Sequence, residues 1–318
     1  MNTKMKELKN LNSLNNKKLL VVLPVNKISD VYLNECTYSL AQQTYEIDLL
    51  VLTNGLSDAD TNTLKSILDN PTVNILSKEG EETKTTTVSS EKKLNYTIEQ
   101  TDSKSFAATF NDAVSYASVN GYEYFSVVEN EDVLERNWYK NFTKYATTKK
   151  DHQVFLPLSR EVSNGNFIGF YNEASWMEGL AEVSGTFDLQ LMMRFNCMNV
   201  GGAVFHTESI KKYSEVDESG RCKSMKENVK ISFIYEFFLR MIYNDLKFFS
   251  VPRIGYEHRI DIATDVYDGF SSKIPRDIIT RPEEKGGMNQ EEYKFWSDIA
   301  KKEYFFDEER DLKFNPVK

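Results

Sequence analysis

The sequence predicts an α/β protein whose mostly parallel central sheet is flanked by helices. Short apolar runs rich in β-branched residues alternate with segments that have apolar residues at helical spacing. Such runs are typical of strands buried on both faces, which occur in parallel sheets covered by helices. The alternation is clearest in the first quarter of the chain.

The opening elements are predicted as strand, helix, strand and helix. The run 19–25 predicts a buried strand, and Asp30 is placed to begin the following helix. A second buried strand is predicted over 47–52, and a helix over 58–70 ends before a proline. A third strand of the same sheet is predicted over 73–76.

The segment 77–105 interrupts this rhythm, because it is dense in Thr, Ser, Glu and Lys. It predicts a polar insertion, either a hairpin or a mobile loop. The later predicted elements are helices over 106–120, 134–145 and 231–243, and strands over 123–128, 154–158, 199–205, 248–251 and 254–256. The expected organisation is a flexible arm over 1–17, one domain over 18–262, and a helical extension over 263–318.

The composition argues against several classes of protein. A formal net charge of −9 and a pI near 5.1 argue against an extended nucleic-acid-binding surface. No apolar run reaches the roughly 18 residues of a membrane span, and the polar start lacks the apolar core of a signal peptide. The cysteines Cys36, Cys197 and Cys222 are scattered, which predicts buried thiols in a reducing, cytoplasmic compartment.

The strongest functional signal is a buried strand that ends in a cluster of acids. The apolar run 124–128 is followed directly by Glu129-Asn130-Glu131-Asp132. Packed carboxylates repel one another and lose hydration, whereas a hard divalent cation prefers oxygen ligands. The cluster therefore predicts a metal seat, with a solvated acidic turn as the alternative.

Several further motifs accompany this acidic cluster in a definite order. They are 22–26 (VLPVN), 39–45 (SLAQQTY), 50–58 (LVLTNGLSD), 106–114 (FAATFNDAV), 129–132 (ENED), 201–205 (GGAVF), 235–240 (YEFFLR), 251–252 (VP) and 256–259 (YEHR). In this order and spacing, the chain from 18 to 259 resembles the family-2 glycosyltransferases of the GT-A fold.

The resemblance implies a nucleotide-sugar donor at the carboxyl-terminal edge of the first strands, with Mn²⁺ or Mg²⁺ against its diphosphate. The donor-binding positions that it implies are Pro24, Asn26, Thr53, Asn54, Asn111 and Glu129. The implied metal ligands are Glu129, Glu131, Asp132 and His258. For a lone histidine such as His258, a hydrogen-bonded structural role is the alternative.

The chain departs from the family pattern at two functional positions. Thr53 and Asn54 replace the acids that bind the nucleobase, so a preference for uracil does not follow. Phe233-Ile234 replaces the acidic pair that supplies the general base. The nearest carboxylates are Glu236 and Glu227, although Glu236 is also spaced for an ordinary helix ion pair with Arg240.

The acceptor is predicted to be a glycan, a protein or a modified nucleobase. Trp176, Gly201 and Gly202 are the candidate acceptor-binding residues, and packing in the core is the alternative for Trp176. The Asn- and Lys-rich composition is typical of an AT-rich bacterium or its phage. If a phage encodes the protein, its expected location is the host cytoplasm. A homo-oligomer is also expected.

The sequence therefore predicts two alternative functions. The first is a metal-dependent glycosyltransferase, and the second is a catalytically degenerate GT-A scaffold that binds within a larger assembly, such as a virion. A nucleotidyltransferase of similar topology would require a loop rich in Gly and Arg after the first strand. The segment 26–29 (NKIS) does not supply one.

Overall fold

The computed structural model describes residues 19–259, except for 80–81, 104, 164, 179, 189–190, 192–197 and 228–232. The predicted arm over 1–17 and the predicted helical extension over 263–318 lie outside the described residues. Both stay predictions.

Helices and strands alternate through the described part of the chain. The helices are α1 (Asp30–Ala41), α2 (Asp58–Asp69), α3 (Phe106–Val119), α4 (Trp138–Thr148), α5 (Thr207–Lys212) and α6 (Phe233–Tyr243), with a 3₁₀ turn at Ala174–Trp176. The strands are β1 (Leu19–Val25), β2 (Asp48–Thr53), β3 (Thr72–Glu79), β4 (Glu82–Ser89), β5 (Tyr96–Gln100), β6 (Tyr124–Val127), β7 (Val133–Leu134), β8 (Val154–Ser163), β9 (Asn166–Tyr171), β10 (Thr186–Phe187), β11 (Val204–His206), β12 (Glu215–Val216), β13 (Cys222–Lys223) and β14 (Phe248–Arg259).

The central sheet has the strand order β10-β14-β8-β11-β6-β1-β2-β5, with β7 beside β14 and β9 beside β8. Strands β6, β1, β2 and β5 are parallel to their neighbours in that series. β11 is antiparallel to both β6 and β8, and β14 runs parallel to β8. The predicted α/β class with a mostly parallel sheet is confirmed. The carboxyl ends of β5, β2, β1 and β6 meet at one edge of the sheet.

The sheet separates two buried apolar clusters because successive side chains of a strand point to opposite faces. Leu20 and Val22 of β1 pack on the face covered by α3 and α6. Leu19 and Val21 pack on the face covered by α1, α2 and α4. Every residue of β1 is buried, which is why an apolar run rather than an alternation marks this strand.

The polar segment 77–105 is not wholly an insertion, because it contains a strand of the central sheet. β5 pairs in parallel with β2, from Leu49 with Tyr96 to Thr53 with Gln100. The run 73–76, predicted as the third strand of that sheet, lies instead in β3, which forms a separate antiparallel hairpin with β4. β5 is an edge strand with mostly exposed or half-exposed side chains, so no apolar run distinguishes it from the polar residues around it.

Three further predicted elements have different bounds. The helix predicted over 134–145 begins at Trp138, because Val133–Leu134 pairs with β14. The strand predicted over 199–205 is confined to Val204–His206. The two last predicted strands form the single strand β14, which is irregular between Val251 and Tyr256. Within the described residues, no helix has the length and apolar character that crossing a bilayer requires.

Candidate active site

The acidic residues after β6 form a buried turn at the carboxyl edge of the sheet. β6 lies beside β1, with Val127 paired to Val22. The backbone N–H of Asp132 donates to the carbonyl of Glu129 at 3.1 Å, which closes the turn. Glu129, Glu131 and Asp132 expose 5%, 5% and 0% of their surface. The alternative of a solvated acidic turn is therefore wrong.

His258 is brought to this turn by the pairing of β7 with β14. Leu134 pairs with Tyr256 and Val133 with Glu257, so the chain just after the acidic turn is hydrogen-bonded to the end of β14. His258 is 2% exposed, and its Nδ1 lies 3.0 Å from Oδ2 of Asp132. This contact joins residues that are 126 positions apart in the chain.

Three of the four predicted metal ligands converge. One ligand atom from each of Glu129, Asp132 and His258 lies within 4.8 Å of the other two. Glu131 is buried as well but lies outside this group. Two carboxylates and an imidazole in a buried site match the oxygen and nitrogen ligands of a divalent transition metal. A cation there would offset the repulsion between carboxylates that have lost their hydration.

Tyr256 and Arg259 hold Asp132 in place. The Tyr256 hydroxyl hydrogen-bonds Asp132 and accepts the backbone N–H of Glu129 at 3.2 Å. Burial, followed by the negative charges of Asp132 and Glu129, raises the pKa of Tyr256 well above its ordinary value, so its hydroxyl keeps its proton. The backbone N–H of Arg259 donates to Oδ1 of Asp132 at 2.9 Å. Both oxygens of Asp132 are thus oriented by β14.

The predicted donor-binding residues of β1 and β2 lie at the same edge of the sheet. Pro24 is the penultimate residue of β1, and Asn26 follows the last residue of that strand. Thr53 is the last residue of β2, and Asn54 follows it. The Asn54 Nδ2 donates to the carbonyl of Ser103 at 2.8 Å. Asn54 therefore fastens the loop that follows β5 to the end of β2.

A cavity of about 530 Å³ opens beside this loop. Its walls are 101–103 and Ser105 from the loop, Ala108 and Asp112 from α3, and Arg221 and Glu227 from the segment that follows α5. The cavity lies at the carboxyl end of β5, because residue 101 follows directly on that strand. It is therefore on the same edge of the sheet as the Glu129–Asp132–His258 group.

Asp112 and Arg221 organise the cavity wall. The Arg221 Nε lies 2.6 Å from Oδ1 of Asp112, and its Nη1 lies 2.7 Å from Oε1 of Glu227. The hydroxyls of Thr101 and Ser103 both donate to the second oxygen of Asp112. Burial lowers the pKa of Arg221, but Asp112 and Glu227 outweigh that effect and raise it, so the guanidinium stays charged.

Asn111 was predicted to bind the donor, but all hydrogen-bonding sites of its side chain are used within the protein. Its Oδ1 accepts the backbone N–H groups of Ser224 and Met225, each at 2.8 Å. Its Nδ2 donates to the carbonyl of Met225 at 2.9 Å and to Oε1 of Glu227 at 2.8 Å. An amide side chain has two donor and two acceptor sites, so none is left for a ligand. Asn111 instead positions the cavity wall.

The two predicted catalytic carboxylates lie in different surroundings. Glu236 is 1% exposed, and its Oε1 lies 2.7 Å from Nε of Arg240 and 3.3 Å from Nζ of Lys226. The helix ion pair named as the alternative for Glu236 is thus present. Glu227 lines the cavity, and 36% of its side chain is exposed. Of the two, Glu227 is the carboxylate that a ligand can reach.

Trp176, one of the three predicted acceptor-binding residues, packs near the start of β14. Its Nε1 donates to the carbonyl of Ser250 at 3.0 Å, and its ring contacts Phe249 edge-on. Ser250 pairs with Leu156, whereas His258 pairs with Glu161, so roughly 16 Å of strand separates them at about 3.3 Å per residue. Trp176 is thus anchored to β14, but 37% of the residue is exposed, so it is not a core residue. Its acceptor-binding role stays a prediction.

Gly201 and Gly202 serve the packing of Tyr256. A Cβ at Gly201 would lie 2.5 Å from the Tyr256 ring, and one at Gly202 would lie 2.6 Å from it. Gly202 also has φ of +67°, which favours glycine. The close approach predicted for these glycines is present, but the partner is a tyrosine ring of the site and not an acceptor.

Several residues of the site were not predicted as such. Tyr256 belongs to the YEHR motif but had no assigned role, and Asp112 follows Asn111 in the helix motif. Arg221 carries no signal in the sequence, because a single arginine in a polar segment is ordinary. Its partner Asp112 is 109 positions away in the chain.

The architecture is an α/β fold of the GT-A kind. The sequence matches no protein-family model and no curated protein. Among solved structures, Staphylococcus aureus TarS superposes with a TM-score of 0.52 at 15% identity, over 76% of this chain and 37% of the TarS chain. The shorter S. aureus TarS 1–349 superposes with a TM-score of 0.54 at 14% identity, over 89% of this chain and 80% of that one.

TarS is a glycosyltransferase with a GT-A-like fold. At these low identities the similarity shows the fold alone. The present chain spans little more than a third of the longer TarS structure.

Proposed function

We propose that this protein is a metal-dependent glycosyltransferase, which transfers a sugar from a nucleotide-sugar donor to a glycan, a protein or a modified nucleobase. The observation that carries the proposal is the buried Glu129–Asp132–His258 group at the carboxyl edge of the sheet. The similarity of the fold to TarS supports a transferase of this class.

The chemistry of the ligand set favours Mn²⁺ over Mg²⁺. Glu129 and Asp132 offer carboxylate oxygens, which both ions accept, whereas His258 offers an imidazole nitrogen, which suits Mn²⁺ better. When bound, such an ion supplies positive charge against the diphosphate that leaves with the nucleotide. Tyr256 and the backbone of Arg259 orient Asp132 toward this position.

In this proposal, the cavity beside β5 accepts the other end of the donor. From β6, which precedes the acidic turn, to β5 there are two intervening strands. At about 4.8 Å per strand, the cavity is about 14 Å along the edge from the acidic group. A nucleoside diphosphate is of comparable length, so its nucleoside would lie in the cavity while its phosphates lie at the metal.

The two carboxylates predicted as general base differ in what they can reach. Glu227 borders the cavity and is partly exposed, whereas Glu236 is enclosed by Arg240 and Lys226. Because the proposal puts the nucleoside in this cavity, Glu227 lies at the nucleoside end of the donor and not beside the acceptor hydroxyl. Its contacts with Asn111 and Arg221 fix its orientation.

Titration calorimetry with Mn²⁺ tests the metal site directly, with Glu129→Gln and Glu131→Gln as a matched pair. Both glutamates are 5% exposed and lie in the same turn, but Glu129 alone of the two belongs to the converging group. We expect Glu129→Gln to weaken Mn²⁺ binding by at least about tenfold, because a charged ligand is lost. Glu131→Gln should bind Mn²⁺ like the wild type. Equal affinities for the two variants would contradict the assignment.

The donor is tested by titrating UDP-, GDP- and TDP-sugars with and without Mn²⁺. The proposal requires that at least one of them binds and that Mn²⁺ strengthens the binding. Slow release of the nucleoside diphosphate by water would then report catalysis without knowledge of the acceptor.

The second candidate is a degenerate GT-A scaffold that binds within a larger assembly. The observation in its favour is the ion pair between Glu236 and Arg240. Because Glu236 is the acidic residue in the first turn of α6, no carboxylate at the described start of this helix is open to a ligand. Absence of donor binding in the titrations would favour the scaffold over the transferase.

A further inference from the structure

We infer that Asp132 acts on the metal ion through His258, which it orients, and that Glu129 and His258 are the residues that bind the ion. This inference rests on the proposed function, and it divides the three residues of the converging group by role. It follows from the hydrogen bonds that Asp132 makes and from the ring nitrogen that they leave on His258.

Asp132 accepts hydrogen bonds from three residues of β14. The Tyr256 hydroxyl donates to it, the Arg259 backbone N–H donates to Oδ1 at 2.9 Å, and Nδ1 of His258 lies 3.0 Å from Oδ2. An ionised carboxylate has about four acceptor sites, so most of this capacity is used within the protein. Little of the Asp132 carboxylate is therefore left for direct contact with an ion.

The contact with Asp132 decides which ring nitrogen of His258 carries the proton. An ionised carboxylate only accepts hydrogen bonds, so Nδ1 must be the donor. In a neutral imidazole, Nε2 is then unprotonated and has a lone pair to offer. Within the described part of the chain, Nε2 has no hydrogen-bond partner, although His258 is 2% exposed. This nitrogen is suited to bind a metal ion.

Two neighbouring aromatic rings restrict the His258 ring. The Tyr256 ring stacks on it with the centroids 6.5 Å apart, and the Tyr171 ring contacts it edge-on at 6.1 Å. Together with the Asp132 contact, these rings hold the imidazole in one orientation. Metal-binding histidines commonly donate their other ring N–H to a carboxylate, which fixes both the tautomer and the direction of the ring. Asp132 and His258 have this arrangement.

Glu129 supplies the charged ligand in this assignment. It lies in the converging group, and its backbone N–H donates to the same Tyr256 hydroxyl that holds Asp132. One carboxylate and one imidazole leave further coordination positions of a divalent ion to water and to the diphosphate of the donor. Ions that act on phosphates are commonly bound by few protein ligands for this reason.

A double-mutant cycle on the full chain tests the role of Asp132. The readout is the affinity for Mn²⁺, measured from the electron paramagnetic resonance signal of the free ion. Asp132→Ala should weaken Mn²⁺ binding by at least about tenfold, the usual effect of losing a residue that orients a ligand. In the background of His258→Ala, the same change should weaken binding by less than about twofold, because the residue that Asp132 orients is gone.

Glu129→Gln is the matched control, because a direct ligand should matter whether or not His258 is present. We expect it to weaken Mn²⁺ binding by about tenfold in both backgrounds. Equal weakening by Asp132→Ala in both backgrounds would mean that Asp132 binds the ion itself, and full affinity in Asp132→Ala would exclude any role. Either result overturns the inference while the metal site stands. If the wild-type protein does not bind Mn²⁺, the metal site fails, and the role of Asp132 fails with it.

Asp132→Asn provides a second measurement, because Asp132→Ala leaves three donors of β14 without their acceptor. Asn keeps the shape of Asp but has one oxygen and one amino group, so it cannot accept from both His258 and Arg259 as Asp132 does. Nitrogen chemical shifts of the imidazole, recorded without metal in alkaline solution, report which ring nitrogen is protonated. The chain has three histidines, and His258→Ala identifies the signal.

We expect the His258 proton on Nδ1 in the wild type and a shift of the population toward Nε2 in Asp132→Asn, with weaker Mn²⁺ binding. A wild-type ring protonated on Nε2, or the same tautomer in both proteins, would overturn the inference.

Discussion

Replacing Asn111 by alanine should destabilise the protein more than any exposed substitution on the same helix. The change removes four hydrogen bonds between α3 and the segment 224–227. Ser224 and Met225 are 0% and 1% exposed, so water cannot readily replace the lost acceptor of their N–H groups. Each buried donor without a partner costs about 1–3 kcal/mol. Glu227 can turn to solvent, so we expect a total loss of about 3–4 kcal/mol.

Thermal unfolding measures this loss, since about 1 kcal/mol shifts the midpoint of a domain of this size by roughly 2–4 °C. We therefore expect Asn111→Ala to lower the midpoint by about 6–16 °C. Asn120→Ala is the matched control, because Asn120 follows the last residue of the same helix and is exposed, and its side-chain Nδ2 donates to the carbonyl of Tyr116. A midpoint for Asn111→Ala equal to that of Asn120→Ala would refute the positioning role of Asn111.

Two other predictions concern the packing of the site and the effect of pH. Gly202→Ala places a Cβ 2.6 Å from the Tyr256 ring at φ of +67°, so we expect the free energy of unfolding in urea to fall by about 2–4 kcal/mol. In the control Gly55→Ala, at φ of +71° with open space, it should fall by about 1 kcal/mol. Equal losses in the two variants would contradict the close contact at Gly202. Burial lowers the pKa of His152 from its ordinary 6.5, in spite of the opposing effect of Asp151. As the pH falls below 6.5, His152 therefore binds a proton in the unfolded chain before it does so in the folded protein. The free energy of unfolding should decrease between pH 6.5 and the lower folded-state pKa, and this decrease should be smaller in His152→Gln. A His152→Gln variant with the wild-type pH dependence would exclude this contribution.

The parallel half of the sheet could be predicted because its strands are locally distinctive. β1 and β2 are buried on both faces, so each is a continuous apolar run that ends in turn residues. β5 could not be predicted, because none of its five residues is fully buried and they resemble those of a loop. β7 has two residues and exists only because β14 lies beside it.

The site was predicted in part for the same reason. The acids after β6 form a local pattern, and three of the four residues assigned to the metal converge. The roles of Asn111, Gly201 and Gly202 were not predictable, because each is decided by a contact with a distant segment. The cavity depends on Arg221, whose partner Asp112 is remote in the chain.

The sequence by itself determined the α/β class, the order of the first strands, and the position of an acidic cluster at a strand end. These properties depend on neighbouring residues, since the periodicity of apolar side chains and the turns between them are local. Only the tertiary structure decided that Glu129 and Asp132 converge with His258 in a group that does not include Glu131, and that Glu236 is enclosed by cations. The pairing of β7 with β14 brings His258 to the acidic turn, and this pairing joins segments that are far apart in the chain.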